Sequence, residues 1–180
     1  VGVYYSALHQ SAHYANLATC GSVWACPVCA VKIQQRRRLE LVELIGWSYA
    51  QELEPQMVTL TFPHTRFDSL ADLLSRQRQA FKRLRSGKAF SNWCKRWGYS
   101  GLVRSLELTH GSNGWHPHTH ELWLTRPLSP AEQIQFSEGI LGFWIKACAS
   151  VGLLDLSDSK SLRDFQSHSV DVRFRVSDSD

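Results

Sequence analysis

Apolar side chains recur along the chain with two periods, and the change of period divides it into elements. Over residues 30–53, Ile33, Leu41, Leu44 and Ile45 fall roughly on one stripe, which is helical spacing, and Pro55 ends the segment. Residues 57–62 (Met-Val-Thr-Leu-Thr-Phe) are rich in β-branched side chains and closed by Pro63, so they predict a buried strand. Helical spacing returns over 68–85 through Leu70, Leu73, Leu74, Phe81 and Leu84, and Ser69 with Asp72 resembles a capping box. Gly87 breaks that pattern, and a short aromatic helix follows over 90–97. Residues 102–109 and 115–124 read as strands joined by Gly111-Ser112-Asn113-Gly114, a hairpin signature. Ser129-Pro130-Ala131-Glu132 opens a helix that runs to about Ser150 and stops at Gly152. Residues 169–176 alternate again, with Val170, Val172, Phe174 and Val176 on one side. The order strand, helix, hairpin, helix, strand predicts an α+β fold, an antiparallel sheet with helices packed on it. A Cys-rich segment and helix occupy residues 1–54, and the sheet domain occupies 55–180.

Composition narrows the class. Of the 180 residues, 43% are hydrophobic and 20% charged, the balance of a globular protein rather than of a coiled coil or a disordered chain. No apolar run approaches the ~20 residues that span a bilayer, so no membrane partner is expected. No secretory signal is visible, and the first residue is Val1 rather than Met, which suggests a piece of a longer chain. The net charge of +4 is uneven: eight basic residues and no acidic one lie between Arg76 and Arg96, which points to a polyanionic partner.

The five cysteines are Cys20, Cys26, Cys29, Cys94 and Cys148. The first three form C-x5-C-x2-C, the short spacing that lets thiolates reach one tetrahedral metal. An odd count argues against a disulfide framework, so a cytoplasmic protein with a small zinc-knuckle segment is expected. His13 and His9 are the nearest candidates for a fourth zinc ligand. Cys94 and Cys148 fall within helical patterns and read as core.

Residues 116–120 read His-Pro-His-Thr-His. Alternation along a strand points His118 and His120 to the same face, with His116 in phase but beside the turn. If the hairpin loop is Ser112-Asn113, Glu107 lies opposite His118 and shares its face. Two imidazoles and a carboxylate then converge on a plausible open site for a divalent metal.

At these residues the chain resembles a known family. Pro117-His118-Thr119-His120 resembles the His-x-His motif of the HUH endonuclease superfamily, and within it the rolling-circle replication initiator (Rep) proteins of plasmids. Val-Thr-Leu-Thr within 57–63 resembles the family's first strand motif, and Cys20-Gly-Ser-Val-Trp-Ala-Cys-Pro-Val-Cys29 its upstream cysteine segment. Thr119 departs from the pattern, which carries a bulky hydrophobe there. The resemblance implies an HUH endonuclease-like fold and Mg or Mn on Glu107, His118 and His120. It further implies nicking and joining of single-stranded or hairpin origin DNA by a tyrosine, with host helicase and polymerase as partners. No tyrosine follows His120, so the nucleophile is expected beyond residue 180 and this chain is expected not to cleave DNA. Arg76, Arg78, Lys82, Arg83, Arg85 and Lys88 are the candidate DNA contacts; Trp93, Trp97 and Trp115 could stack on bases, although core packing is the expected role of each taken alone, and His64 could lie near the metal. A transposase or relaxase of the same superfamily, a non-catalytic zinc-knuckle nucleic-acid-binding module and a metallohydrolase are the competing expectations.

Overall fold

The computed structural model describes residues 2–16 and 18–176. Chain contacts divide the protein into two units, one up to Leu44 and one from Ile45 onward. In the first unit, Gly2–Ser6 (β1) and Ser11–Ala15 (β2) pair as an antiparallel hairpin that the hydrophobic pattern does not predict. Its strands carry Tyr4, Tyr5 and Tyr14 exposed, so no buried face marks them in the sequence. Pro27–Ala50 forms α1, with Pro27 at the first helical position, where a missing N–H costs no hydrogen bond. The helix begins before residue 30, and the chain turns out of it at Glu52, whose φ is 56°.

The second unit contains Glu54–Leu60 (β3), Leu70–Leu84 (α2), Gly87–Arg96 (α3), Gly101–Gly111 (β4), Gly114–Thr125 (β5), Pro130–Ser150 (α4), Ser159–His168 (α5) and Val170–Arg173 (β6). Four of these strands form a sheet in the order β4-β5-β3-β6, antiparallel throughout. The α+β arrangement and the antiparallel pairing therefore agree with the pattern of the sequence. Ser69 Oγ accepts from the Asp72 N–H at 3.2 Å to start α2, and Ser129 and Glu132 close a full capping box at α4. Several elements differ from expectation: β3 starts at Glu54 rather than at 57, and α3 starts at Gly87 rather than at 90. The last strand is shorter than 169–176, because Arg175 adopts a φ of +59° and ends the ladder. Helix α5 was not expected; Asp158 caps it by accepting from the Lys160 N–H, and Phe165 is its buried anchor.

Side chains alternate across the sheet, which separates its two faces. Val58, Leu60 and Trp123 belong to the core with residues of α2, α3 and α4. Phe81 stacks on Trp144 with centroids 5.2 Å apart, and Phe136 meets Trp97, Trp123 and Phe174. Each such buried aromatic contributes about 1.5–3 kcal/mol over an exposed one. Gly139 is required by this packing: a Cβ there would lie 2.2 Å from Trp93 Nε1. Among the described residues no helix is long and apolar enough to cross a membrane.

Candidate metal centre

The hairpin register decides which side chains meet. Gly111 pairs with Gly114 across the two-residue turn, which places Glu107 opposite His118. Gly114 holds a φ of +88°, and a Cβ on it would lie 2.8 Å from Arg66 Cα, so the turn depends on glycine there. Glu107 Oε2 lies 3.2 Å from His118 Nε2 and 3.1 Å from His120 Nε2. The ligand atoms of the three residues all lie within 4.8 Å of one another. In an octahedral shell with bonds of about 2.1 Å, adjacent ligand atoms stand about 3 Å apart. The separations of Glu107 from both imidazoles thus fit a single small divalent cation held by one carboxylate oxygen and two imidazole nitrogens.

The neighbouring strand supports this group. Thr59 of β3 pairs with His120, and its Oγ1 lies 3.1 Å from Nδ1. With Nε2 given to a cation, the Nδ1–H would donate to Thr59, which would fix both tautomer and ring orientation. His118 Nδ1 lies 3.4 Å from the His116 carbonyl. The Glu107 carboxyl is held below its ordinary range by its hydrogen bond with His120 and by the charge of His118. Glu107 is half exposed, so the face is open to a ligand.

His116 does not join the triad. Its Nε2 lies 2.6 Å from Thr61 Oγ1, and its ring stacks on His64 at 4.7 Å. Burial pushes its pKa down, as do the charges of His64 and His118. His64 and His116 instead line a cavity of about 270 Å³ with Asp164, Phe165 and His168 of α5. Thr59 and Thr61 are neighbours of His120 and His116 that the motif did not single out. Their signal was the alternation Thr-Leu-Thr, which puts both hydroxyls in phase with the histidines.

The basic run lies elsewhere. Helix α2 packs against α4 and β5 on the face of Thr119, Glu121 and Trp123, opposite the triad. Arg76 pairs with Asp68 and Asp72 and donates to the Gly152 carbonyl. Arg85 donates to both oxygens of Glu121 at 2.9 and 2.7 Å, and Arg104 donates to the same carboxylate at 2.5 Å. Glu121 is fully buried; burial raises its pKa against the pull of Arg85. Arg78, Lys82, Arg83 and Lys88 are exposed. Trp93 and Trp97 pack on Phe136 inside the aromatic core, the role expected for each tryptophan taken alone, and are not available to stack on bases. Trp115 remains partly exposed beside His110.

In the first unit, Cys20, Cys26 and Cys29 bring their sulfurs within 4.8 Å of one another, with Cys20 and Cys29 3.8 Å apart. Tetrahedral Zn–S bonds of about 2.3 Å require a similar sulfur spacing, so the three fit zinc. The Cys29 backbone N–H, the Cys29 and Cys20 side chains and the Val28 N–H lower the Cys26 thiol. Neither His9 nor His13 belongs to this group, and His13 stacks on Tyr4 at 6.2 Å. Cys148 is buried, and burial pushes the Cys94 thiol up to about 11.

A sheet face bearing two imidazoles and a carboxylate around one point defines a candidate metal-binding α+β domain. Residues 12–128 match the protein family described as Replication protein. This chain belongs to that family. It is 31% identical over 141 residues to a protein of Streptomyces cyanogenus named "Neomycin resistance protein", covering 61% of this chain and 31% of that protein. It is also 31% identical over 136 residues to "Protein rep" of Streptomyces lividans, covering 61% of this chain and 30% of that protein. The chain thus spans less than a third of the length of these curated relatives. No solved structure matches it.

Proposed function

We propose that this chain carries the metal-binding half of a plasmid rolling-circle replication initiator with an HUH endonuclease-like fold. The observation that carries this reading is the convergence of Glu107, His118 and His120 on one face of the sheet, backed by Thr59. Membership of the replication-protein family supplies the biological setting.

In this reading Glu107, His118 and His120 would hold Mg or Mn, which when bound supplies Lewis-acid polarisation of a phosphate oxygen. Thr59 keeps the His120 ring aimed, and the open face admits single-stranded or hairpin origin DNA. A tyrosine oxygen attacks the phosphorus and the P–O3′ bond breaks, leaving a 5′-phosphotyrosine and a 3′-OH that primes a polymerase behind a host helicase. Tyr99 packs against Trp123 on the opposite face, and the Tyr49 hydroxyl donates to the Val176 carbonyl, so neither is assigned the attack. Cys20, Cys26 and Cys29 hold a structural zinc; elemental analysis that finds none removes that assignment.

Calorimetric titration with Mn tests the centre. Glu107→Ala and the double variant His118→Ala/His120→Ala are expected to abolish Mn binding. Unchanged affinity in the double variant overturns the reading.

A further inference from the structure

On the opposite face of the sheet, α2 and the β4–β5 ribbon enclose a groove of about 520 Å³. We infer, building on the replication reading above, that this groove takes one nucleotide, its base inside and its phosphate at the rim.

Charge argues for the phosphate. Arg78, Lys82, Arg85 and Arg104 line the groove. Glu121 engages Arg85 and Arg104. Arg78 and Lys82 remain exposed at the rim, with no ion-pair partner among the described residues. Shape and polarity argue for the base. Leu74, Phe81 and Leu106 form apolar walls, and the Arg104 guanidinium lies 3.8 Å over the Phe81 ring. Gln77 and Thr119, 4% and 1% exposed, also line the groove, and Gln77 Nε2 and Thr119 Oγ1 have no hydrogen-bond partner. An apolar slot with a few unpaired polar groups and a cationic mouth is the recognition chemistry of a nucleotide. The volume falls within the ~300–1,000 Å³ of small-molecule sites.

Thr119 explains why the space exists. It is the middle residue of His118-Thr119-His120, so its side chain points away from the triad and lies across from Leu106. A bulky hydrophobe at that position would fill the groove from its floor. Thr119, small where the motif carries a bulky hydrophobe, thus lies on the groove side of the strand that presents the imidazoles. Because Leu106 and Glu107 are adjacent on edge strand β4, one DNA strand passing over that edge can meet both faces.

The test is fluorescence anisotropy with a labelled mixed-sequence single-stranded DNA oligonucleotide in buffer without added Mg or Mn and without chelator, so that the cysteine cluster is left undisturbed. Arg78→Glu/Lys82→Glu is expected to weaken binding about tenfold or more and to flatten its salt dependence. Thr119→Leu is expected to weaken it about tenfold with the salt dependence unchanged. If Thr119→Leu fails to fold by circular dichroism, the exposed charge-reversal pair carries the test alone. Competition by dAMP supports the nucleotide, and dAMP binding without oligonucleotide binding identifies a free nucleotide as the source. Wild type and both variants binding the oligonucleotide alike overturns the groove and leaves the replication reading standing. Competition by polyglutamate but not by dAMP overturns the nucleotide in favour of an acidic peptide. A wild type that binds neither oligonucleotide nor dAMP removes the inference, whatever the Mn titration shows.

Discussion

Thr59 separates geometry from donor identity at the candidate metal centre. It supplies no ligand, yet its hydroxyl lies 3.1 Å from His120 Nδ1 and fixes which nitrogen faces Glu107. Thr59→Val should weaken Mn binding about tenfold or more, as loss of an outer partner does elsewhere. The stability change should be about 1 kcal/mol or less, the worth of one hydrogen bond. Calorimetry and a thermal melt read the two effects separately, and equal Mn affinity would show that the ring needs no such support. The convergence of Glu107 and His118 was legible in the sequence, because a two-residue turn fixes the parity of the whole ribbon. The fate of the basic residues was less so. The pairing of Arg76 with Asp72 is local, but Arg85 meets Glu121 across 36 residues, and no spacing rule announces that. Residue type gave the charge, while tertiary packing decided which charges remain free.

At the scale of the element, α4 begins where its cap chemistry says it should. Ser129, Pro130 and Glu132 act within a few residues of one another, so sequence alone fixes the start. The Glu132 carboxyl is held down at about 2 by its hydrogen bonds from Arg126 and Ser129. A depressed carboxyl contributes stability above its unfolded pKa, which is lost as pH falls through the folded one. The α4 N-terminus should therefore weaken as pH drops from about 4.5 towards about 2. Glu132→Gln should flatten the pH dependence of the thermal midpoint over that interval; an unchanged profile would show that the capping carboxylate does not govern it. Helix α5 lacked such a clear signal, since only Leu162 and Phe165 of its ten residues give it an apolar face. The end of β6 was hidden for another reason: Arg175 takes a left-handed conformation with no glycine to mark it.

For the molecule as a whole, the proposed division of labour has a direct readout. Incubated with single-stranded DNA and Mn, this chain should form a salt-sensitive complex but no adduct that survives denaturing electrophoresis. A covalent band would mean that one of its own tyrosines reaches the phosphate. The α+β class and the hairpin were legible because they rest on periodicity and turn chemistry. The placement of α2 behind the sheet was not, because a helix's basic stripe does not say which face of a sheet its apolar stripe will cover. One consequence concerns β4, one of the two edge strands, which among the described residues pairs with β5 alone. Its Glu107 is one of the three proposed cation ligands, so capture of an ion would tie down a border that would otherwise fray. Amide deuterium uptake along Gly101–Gly111 should slow when Mn is added, and faster or unaltered uptake would show that this border and the ion are energetically independent.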